Sequence, residues 1–251
     1  MSIILIPLPS FDFDPTETAV PWQILTGCDH EVRFATPDGK PAQADARMLH
    51  GSGLGPWKEL LRADDNGRAA YASMIASPEF MRPLSYDQIN IAEVDAIGLP
   101  GGHAAGMKTY LESHQLQATV AAAFTRQLPV GAICHGVILA ARSRGADGRS
   151  VLHGRRTTAL TRTLELSGWA LTALWLGNYY RTYPITVQEE VTRALAHPND
   201  FQEGPMALLR DSPTHLERGF VVRDGNYLSA RWPGDAHRFA HEFAAMLDER
   251  V

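Results

Sequence analysis

Chemically reactive side chains follow a short apolar run near the middle of the chain. In VGAICHGVIL, residues 130–139, a strand-like run ends at Cys134-His135-Gly136 and a helix-like run follows. A nucleophile on such a strand-to-helix turn sits in strained backbone, with its side chain pushed out above the sheet. Gly131 and Gly136 would relieve crowding at the bend. The helix N-terminus favours a thiolate, and a merely buried cysteine would not need the His-Gly pair. The pattern therefore predicts that Cys134 is a nucleophile.

Two other predicted strand ends carry groups that could assist this thiol. Gly101 and Gly102 follow a strand, and their backbone N–H groups could stabilise an oxyanion on a carbon attacked by Cys134. His103 could point into the same cleft, although a solvated loop histidine fits the sequence nearly as well. Glu17 follows the first strand and could share a proton with the thiol. A glutamate in the first turn of a helix also has a purely structural explanation.

Alternating strands and helices would position these residues. The pattern predicts strands at 3–8, 32–36, 94–99, 128–133 and 157–160, and helices at 16–26, 110–126 and 137–142. This alternation predicts an α/β fold with a mostly parallel sheet. Ligands of such sheets bind beyond the carboxyl ends of the strands, so the segments 7–14, 100–106 and 134–136 should meet there.

The sequence predicts a single domain spanning residues 1–251, with the rest of the chain forming an insertion and an extension. Residues 40–90 are rich in Gly, Pro and charge and read as an insertion. A mostly helical extension covers 162–219, and an Asp-Gly turn between two apolar runs at 220–230 predicts a β-hairpin. A last helix would begin near Asp235, whose side chain is a good N-cap candidate.

Composition narrows the classes of function and partner. The chain has 251 residues and a net charge of −5, so a nucleic-acid partner is not expected. The apolar run at the N-terminus is too short for a signal peptide or a membrane span, which predicts a cytoplasmic protein without a membrane partner. Two cysteines, Cys28 and Cys134, make no disulfide framework. His50 and His103 are isolated, so neither a metal site nor any other cofactor is expected.

Three segments together resemble the ThiJ/PfpI superfamily: ETAVP at 17–21, LPGGH at 99–103 and GAICHG at 131–136. The resemblance implies a flavodoxin-like three-layer sandwich, the fold that class I glutamine amidotransferase domains also have. It covers residues 1–39 and 92–161. The segments 40–90 and 162–219 look more like the larger members, the glyoxalase III and heat-shock chaperone branch.

The resemblance also assigns roles to residues of this chain. Cys134 matches the reactive cysteine of the family, Glu17 the glutamate that hydrogen-bonds it, and His135 the histidine that follows it. Gly101 and Gly102 match the backbone on the oxyanion side.

Members with a full triad add an acid that orients the histidine. Glu165 is the best candidate for that acid, whereas Asp147 precedes a glycine in a turn and has a simpler explanation. Glutamine amidotransferases carry a downstream His-x-Glu motif. This chain has only His241-Glu242 on its last helix, so glutaminase activity is not expected.

We therefore expect a cysteine-dependent enzyme that acts on a small carbonyl compound. The concrete version is a glyoxalase III-like conversion of a 2-oxoaldehyde into a 2-hydroxy acid, which needs no redox cofactor. A C–N hydrolase, hydratase or amidase could use the same nucleophile. A stress-response chaperone or redox sensor and an inactive binding domain remain open. The superfamily often forms dimers, which implies a homodimer here.

Overall fold

A seven-stranded sheet is the centre of the computed structural model, which describes residues 1–207 and 209–249. In spatial order its strands are β5 (Leu84–Ser85), β3 (Glu31–Thr36), β1 (Ile3–Pro7), β6 (Ala96–Leu99), β7 (Val130–Ile133), β9 (Tyr227–Ala230) and β8 (Val221–Asp224). Neighbours pair in parallel except β8 and β9, which are antiparallel. A separate parallel pair joins β2 (Phe11–Phe13) to β4 (Gln43–Ala44). The predicted α/β fold with a mostly parallel sheet is confirmed.

Helices cover both faces of the sheet. They are α1 (Pro15–Gly27), α2 (Ala46–His50), α3 (Lys58–Leu61), α4 (Asp65–Ile75), α5 (Pro78–Met81), α6 (Lys108–Leu111), α7 (His114–Thr125), α8 (Gly136–Arg142), α9 (Arg162–Leu176), α10 (Val187–Ala194) and α11 (Ala236–Asp248). Right-handed crossovers put α1 and α7 on opposite faces, because they lead in opposite directions along the sheet. α11 packs beside α1, and α8 beside α7. Within the described residues, no helix is long and apolar enough to cross a membrane.

The order of the strands determines where a ligand can reach the sheet. From β1 the chain moves outward to β3 and β5 and then returns across β1 to form β6 and β7. Every residue of β6 and β7 is buried, as parallel strands covered on both faces require. The carboxyl ends of β1, β6 and β7 are therefore adjacent at the point where the order reverses, which is where open α/β sheets bind ligands.

One predicted strand is wrong. Thr157 forms a single bridge with Phe201, and residues 157–160 make no strand. The place beside β7 is taken by β9, which pairs with it over the register Val130–Tyr227 to Ile133–Ala230. The β8–β9 hairpin predicted from the Asp-Gly turn thus supplies the strand that the Thr-rich segment does not.

The segments 40–90 and 162–219 contribute further strands and helices to the structure. β5 lies within residues 40–90 yet extends the main sheet, and α4 from that segment packs along α1. The extension contains α9 and α10, separated by the non-helical residues 177–186.

The capping role predicted for the Asp235 side chain is wrong. Its carboxylate pairs with the guanidinium of Arg231, whose Nη2 lies 2.9 Å from Oδ1, because a fully buried cation needs an anionic partner. Asp211 caps α11 instead. Its carboxylate accepts hydrogen bonds from the backbone N–H groups of His237 (3.3 Å) and Arg238 (2.8 Å).

Replacement of Gly136 by alanine should destabilise the fold. The added Cβ would lie 2.1 Å from the carbonyl oxygen of Leu99 and 2.7 Å from that of Pro100, so the turn after β7 would have to move. We expect the free energy of unfolding in urea to fall by about 3 kcal/mol. Gly27→Ala is the matched control, since a Cβ there meets no described atom within 4 Å. Equal unfolding free energies for the two variants would contradict this packing.

Candidate active site

Cys134 stands on a strained turn between β7 and α8. Its φ is +56°, in the left-handed region that costs a non-glycine residue roughly 1–3 kcal/mol. The sheet holds the turn in place, because the Cys134 N–H donates to the carbonyl oxygen of Ala230 in β9 at 3.0 Å. The Val137 N–H closes the turn onto the Cys134 carbonyl oxygen at 3.3 Å. This is the sharp strand-to-helix turn that the sequence predicts.

The backbone of Gly101, which follows β6, is hydrogen-bonded to the start of α1. Its carbonyl oxygen accepts the Asp14 N–H at 2.9 Å, and its N–H donates to Glu17 Oε2 at 2.9 Å. A Cβ on Gly101 would lie 2.6 Å from Glu17 Oε2, 2.7 Å from the His135 nitrogen and 2.9 Å from the Cys134 Cβ. Glu17, Gly101 and Cys134 therefore converge at one point, and only glycine fits between them.

The hydrogen bond from Gly101 to Glu17 limits which backbone N–H groups can donate to a substrate oxygen. The Gly101 N–H is already engaged by Glu17, so it is not a free donor for a substrate oxygen. Gly102 lines the cavity beside Cys134, and its N–H donates to no acceptor among residues 1–207 and 209–249. Its φ of +148° and the Asp12 carbonyl oxygen only 2.8 Å from a would-be Cβ explain why glycine is needed there. Gly102 is thus the better placed of the two predicted oxyanion donors.

The carboxyl group of Glu17 is held in its neutral form. Burial raises its pKa well above the ordinary value, and the nearby Asp14 carboxylate raises it further. The Cys134 side chain and the Gly101 N–H oppose this shift only in part. Oε2 accepts the Gly101 N–H, whereas Oε1 is buried and has no hydrogen-bond partner among the described residues. Oε1 is therefore the carboxyl oxygen that is free to exchange a proton with a bound substrate.

The expectation of a resting thiolate is not supported by the surroundings of Cys134. The side chain is 4% exposed, and burial raises the pKa of the thiol well above its ordinary value. The Asp14 carboxylate acts in the same direction, and the backbone N–H of His135 lowers this pKa. These surroundings favour the protonated thiol, which needs a base before it can attack.

His135 is placed to be that base. Its Nδ1 lies 3.4 Å from Cys134 Sγ, and its Nε2 lies 3.0 Å from Thr182 Oγ1. The single proton of the Thr182 hydroxyl is donated to the carbonyl oxygen of His103 at 2.6 Å. The hydroxyl must therefore accept from His135, which puts the ring proton on Nε2. Burial lowers the pKa of His135 to about 3, so the ring is neutral and Nδ1 presents a lone pair to the thiol.

The structure does not bring Glu165 to His135. One Glu165 oxygen accepts the Val187 N–H at 2.8 Å, and the other lies 3.1 Å from Arg181 Nε. Burial raises the pKa of this carboxyl to about 7, and it forms part of the cavity wall. Asp147 is farther from any such role, since it sits in a turn and accepts the Arg149 N–H at 3.0 Å. The position expected for a triad acid is occupied by the Thr182 hydroxyl.

A cavity of about 220 Å³ opens above the thiol, and we call it the Cys134 cavity. Its wall includes Asp14, Glu17, Gly102, His103, Cys134, Leu160, Leu164, Glu165, Leu171, Tyr180, Arg210 and Trp232. His103 is half-buried there and stacks on Tyr180, with ring centroids 4.3 Å apart. Burial lowers the pKa of His103 to about 3, so this ring is also neutral. Sequence reasoning placed His103 here but missed Thr182 and Arg210, which carry no motif.

Comparison with known proteins identifies the family of the chain. A family model described as "ThiJ/PfpI family-like" matches residues 8–205. The chain belongs to the ThiJ/PfpI family. The resemblance seen in the three sequence segments is thereby confirmed.

Relatives within this family include proteins named for carbonyl chemistry. Over 153 residues the chain is 26% identical to the glutathione-independent glyoxalase hsp3101 of Schizosaccharomyces pombe, covering 60% of this chain and 59% of that protein. Over 171 residues it is 26% identical to deglycase TK1284 of Thermococcus kodakarensis, covering 65% and 69%. The chain thus spans less than two thirds of the length of hsp3101.

Solved structures show the same fold. The crystal structure of glyoxalase III from Candida albicans superposes with a TM-score of 0.69, covering 98% of this chain and 97% of that chain at 16% identity. At that identity the similarity is evidence for the fold alone.

The Thr182→Val variant tests how the His135 tautomer is set. Without the hydroxyl, the Nε2–H loses its acceptor at a cost of about 1–3 kcal/mol, so the proton should shift in part to Nδ1. Nitrogen-15 NMR of labelled histidine should show an Nε2–H ring in the wild type and a mixture in the variant. Thr36→Val is the matched control, since that buried hydroxyl donates to the Lys40 carbonyl oxygen at 2.9 Å in another part of the fold. A wild-type ring protonated on Nδ1 would refute the assignment.

The raised pKa of Glu165 should be visible in the pH dependence of stability. Between its ordinary value of 4.5 and about 7, the native state binds a proton that the unfolded state has released. The free energy of unfolding should therefore decrease as pH rises through this range, by up to about 1.4 kcal/mol per unit. Glu165→Gln should lose this part of the slope, and the half-exposed Glu189→Gln should keep it. Identical slopes for both variants in urea titrations would contradict the assignment.

Proposed function

We propose that the protein is a cysteine-dependent enzyme that converts 2-oxoaldehydes into 2-hydroxy acids, as a glyoxalase III does. The observation that carries this proposal is the contact between Cys134 Sγ and Nδ1 of a neutral His135, at 3.4 Å beside the neutral carboxyl of Glu17. One group can accept a proton and the other can donate one, at the same thiol. The name of hsp3101 supports the choice of substrate class.

The first step adds the thiol to the aldehyde. Cys134 Sγ forms a bond to the aldehyde carbon while its proton passes to His135 Nδ1. The aldehyde oxygen takes the proton from Glu17 Oε1, and the Gly102 N–H can donate to that oxygen while charge develops on it. The products are a hemithioacetal, an imidazolium and a carboxylate, so the opposite charges form on either side of the new bond.

The second step moves hydrogen from the first substrate carbon to the second. The Glu17 carboxylate removes the proton from the carbon bonded to sulfur, and the imidazolium of His135 protonates the neighbouring ketone oxygen, which gives an enediol. Glu17 then returns its proton to the second carbon, and His135 takes the proton of the hydroxyl on the first. The result is a 2-hydroxy thioester, with no net change in oxidation state and no redox partner.

Water completes the reaction. It attacks the thioester carbon while Glu17 accepts its proton, and the C–S bond breaks as His135 returns a proton to sulfur. This releases the 2-hydroxy acid and restores the neutral carboxyl, imidazole and thiol. Together, the three steps consume one 2-oxoaldehyde and one water and form one 2-hydroxy acid.

The burial of Cys134 bears on the alternative functions. A redox sensor needs an accessible, low-pKa thiolate, whereas this thiol is 4% exposed and its pKa is raised. A hydrolase or amidase would use the same thiol and histidine. Proton transfer between two substrate carbons needs a second acid–base group, and the neutral carboxyl of Glu17 supplies it.

Substitution of the two proposed reacting groups should separate these possibilities. With methylglyoxal as substrate, Cys134→Ser should abolish lactate formation, and Glu17→Gln should lower kcat by about 10²–10⁴-fold because it removes the second proton-transfer group. Cys28→Ser is the matched control, because that cysteine is exposed at the end of α1. Inert wild-type protein that suppresses aggregation as well as Cys134→Ser does would refute the enzyme and favour the chaperone.

A further inference from the structure

Arg210 presents an unused hydrogen-bond donor at the Cys134 cavity. It lies between α10 and β8, and its Nη2 donates to the carbonyl oxygens of Leu60, Leu61 and Arg62 at 3.4, 3.4 and 3.1 Å. Its Nη1 is buried and has no hydrogen-bond partner among residues 1–207 and 209–249. Across the same described residues, no carboxylate lies within 4 Å of this guanidinium. Its charge is thus held in place by carbonyl groups, with no carboxylate partner among those residues.

The position of Arg210 is fixed by the next residue. The Asp211 N–H donates to the Gly234 carbonyl oxygen at 2.7 Å, and the Asp211 carboxylate caps the first turn of α11 through Arg238 N at 2.8 Å. Asp211 also accepts from the ring of His237 at 3.1 Å. The loop that carries Arg210 is therefore anchored to the start of α11, and the guanidinium is preorganised for binding a ligand.

A second unused donor lies beside it. The guanidinium carbon of Arg210 lies 5.5 Å from the centre of the Trp232 ring, and Trp232 Nε1 is buried without a partner in the described chain. Both side chains line the Cys134 cavity. Buried N–H donors are almost always satisfied in folded proteins, by protein atoms, water or a ligand. Two unsatisfied donors at one cavity indicate a place for an acceptor group.

The chemistry of the cavity favours a carboxylate as that acceptor. A guanidinium binds a planar carboxylate more specifically than any other common anion, and the indole N–H can donate to it as well. A dianion such as phosphate fits less well than a carboxylate with a single charge, because the carboxyl groups of Asp14 and Glu165 share the same wall. Leu160, Leu164 and Leu171 supply an apolar surface for the body of the ligand. The volume of about 220 Å³ lies below the roughly 300–1,000 Å³ of most ligand pockets, which implies a small metabolite.

We infer that Arg210 and Trp232 bind a carboxylate on the substrate, so that the substrates are small 2-oxoaldehydes with an acid group at the end remote from the aldehyde. This inference rests on the proposed function for the aldehyde end alone. The carboxylate site stands on its own contacts, and it would select charged substrates over uncharged ones of equal size.

Binding without turnover tests the carboxylate site by itself. In protein carrying Cys134→Ala, isothermal titration with 4-methylpentanoate should show binding at least about 10-fold tighter than with 4-methylpentanamide. Arg210→Met should remove this preference, and Arg210→Lys should keep only part of it, because an ammonium cannot pair with both oxygens. Arg218→Met, on an exposed arginine of the same segment, is the matched control.

The same variants test the effect on catalysis. In the wild type, kcat/KM for 4,5-dioxopentanoate should exceed that for its methyl ester by at least about 10-fold, mainly through KM, and Arg210→Met should bring the two together. The acid and its ester share the aldehyde, so a loss specific to the acid reports on the carboxylate site and not on folding or on Cys134.

The outcomes separate the two proposals. Arg210-dependent binding of 4-methylpentanoate supports the carboxylate site even if no 2-oxoaldehyde is turned over, which would refute the proposed function alone. Equal affinity for the acid and the amide, or no effect of Arg210→Met on that preference, would overturn the inference even if methylglyoxal is a substrate. Inorganic phosphate that competes as strongly as 4-methylpentanoate would also overturn it, in favour of a general anion site.

Discussion

The Thr182 hydroxyl has one proton, and the acceptor of that proton sets the His135 tautomer on which the proposed chemistry depends. It donates to the His103 carbonyl oxygen and accepts from His135 Nε2, so the unprotonated Nδ1 faces Cys134 Sγ. If this hydroxyl donated to the ring instead, Nδ1 would carry the proton and could not take one from the thiol. A neutral hydroxyl can perform the orienting role that a carboxylate has in triads, without placing another charge in a cavity that already holds Asp14 and Glu17.

The same cavity shows how burial dominates over local electrostatics. Three carboxyl groups line its wall, and burial raises the pKa of Asp14 to about 6, of Glu165 to about 7 and of Glu17 well above its ordinary range. Burial also keeps both histidines neutral and the thiol protonated. The free site therefore stores protons on the thiol and on Glu17, and the charges appear only as a substrate is attacked. This design limits the unproductive oxidation that a permanent thiolate would invite.

Local chemistry and strand order made much of the site predictable. The Cys134 turn could be recognised because Cys-His-Gly between a strand and a helix reflects backbone constraints at adjacent residues. The rule that parallel strand ends share one edge of the sheet predicts that segments 7–14, 100–106 and 134–136 meet, whereas the role of Glu17 is implied by the family resemblance. Burial favours the thiol over the thiolate that the helix N-terminus predicts, because the helix dipole acts weakly compared with the loss of hydration around a buried sulfur.

The remaining features depend on irregular segments. Thr182 lies between α9 and α10 and Arg210 between α10 and β8, where no periodicity indicates which side chains reach the cavity. Glu165 was chosen as the orienting acid from its place in the chain, but Arg181 and the start of α10 engage its carboxyl instead. Residues 157–160 looked like a strand because threonine and leucine suit sheets, yet the hairpin strand β9 occupies the position beside β7.

The protonation state of Cys134 is the most direct test of this account. In protein carrying Cys28→Ser, the ultraviolet absorbance of the thiolate can be followed against pH with Cys134 as the remaining cysteine. The account predicts that no thiolate signal develops below pH 9.0, the ordinary value for a cysteine, because burial and the Asp14 carboxylate hold the proton on sulfur. A thiolate that titrates below pH 7 would contradict it, since His135 would then have no proton to accept.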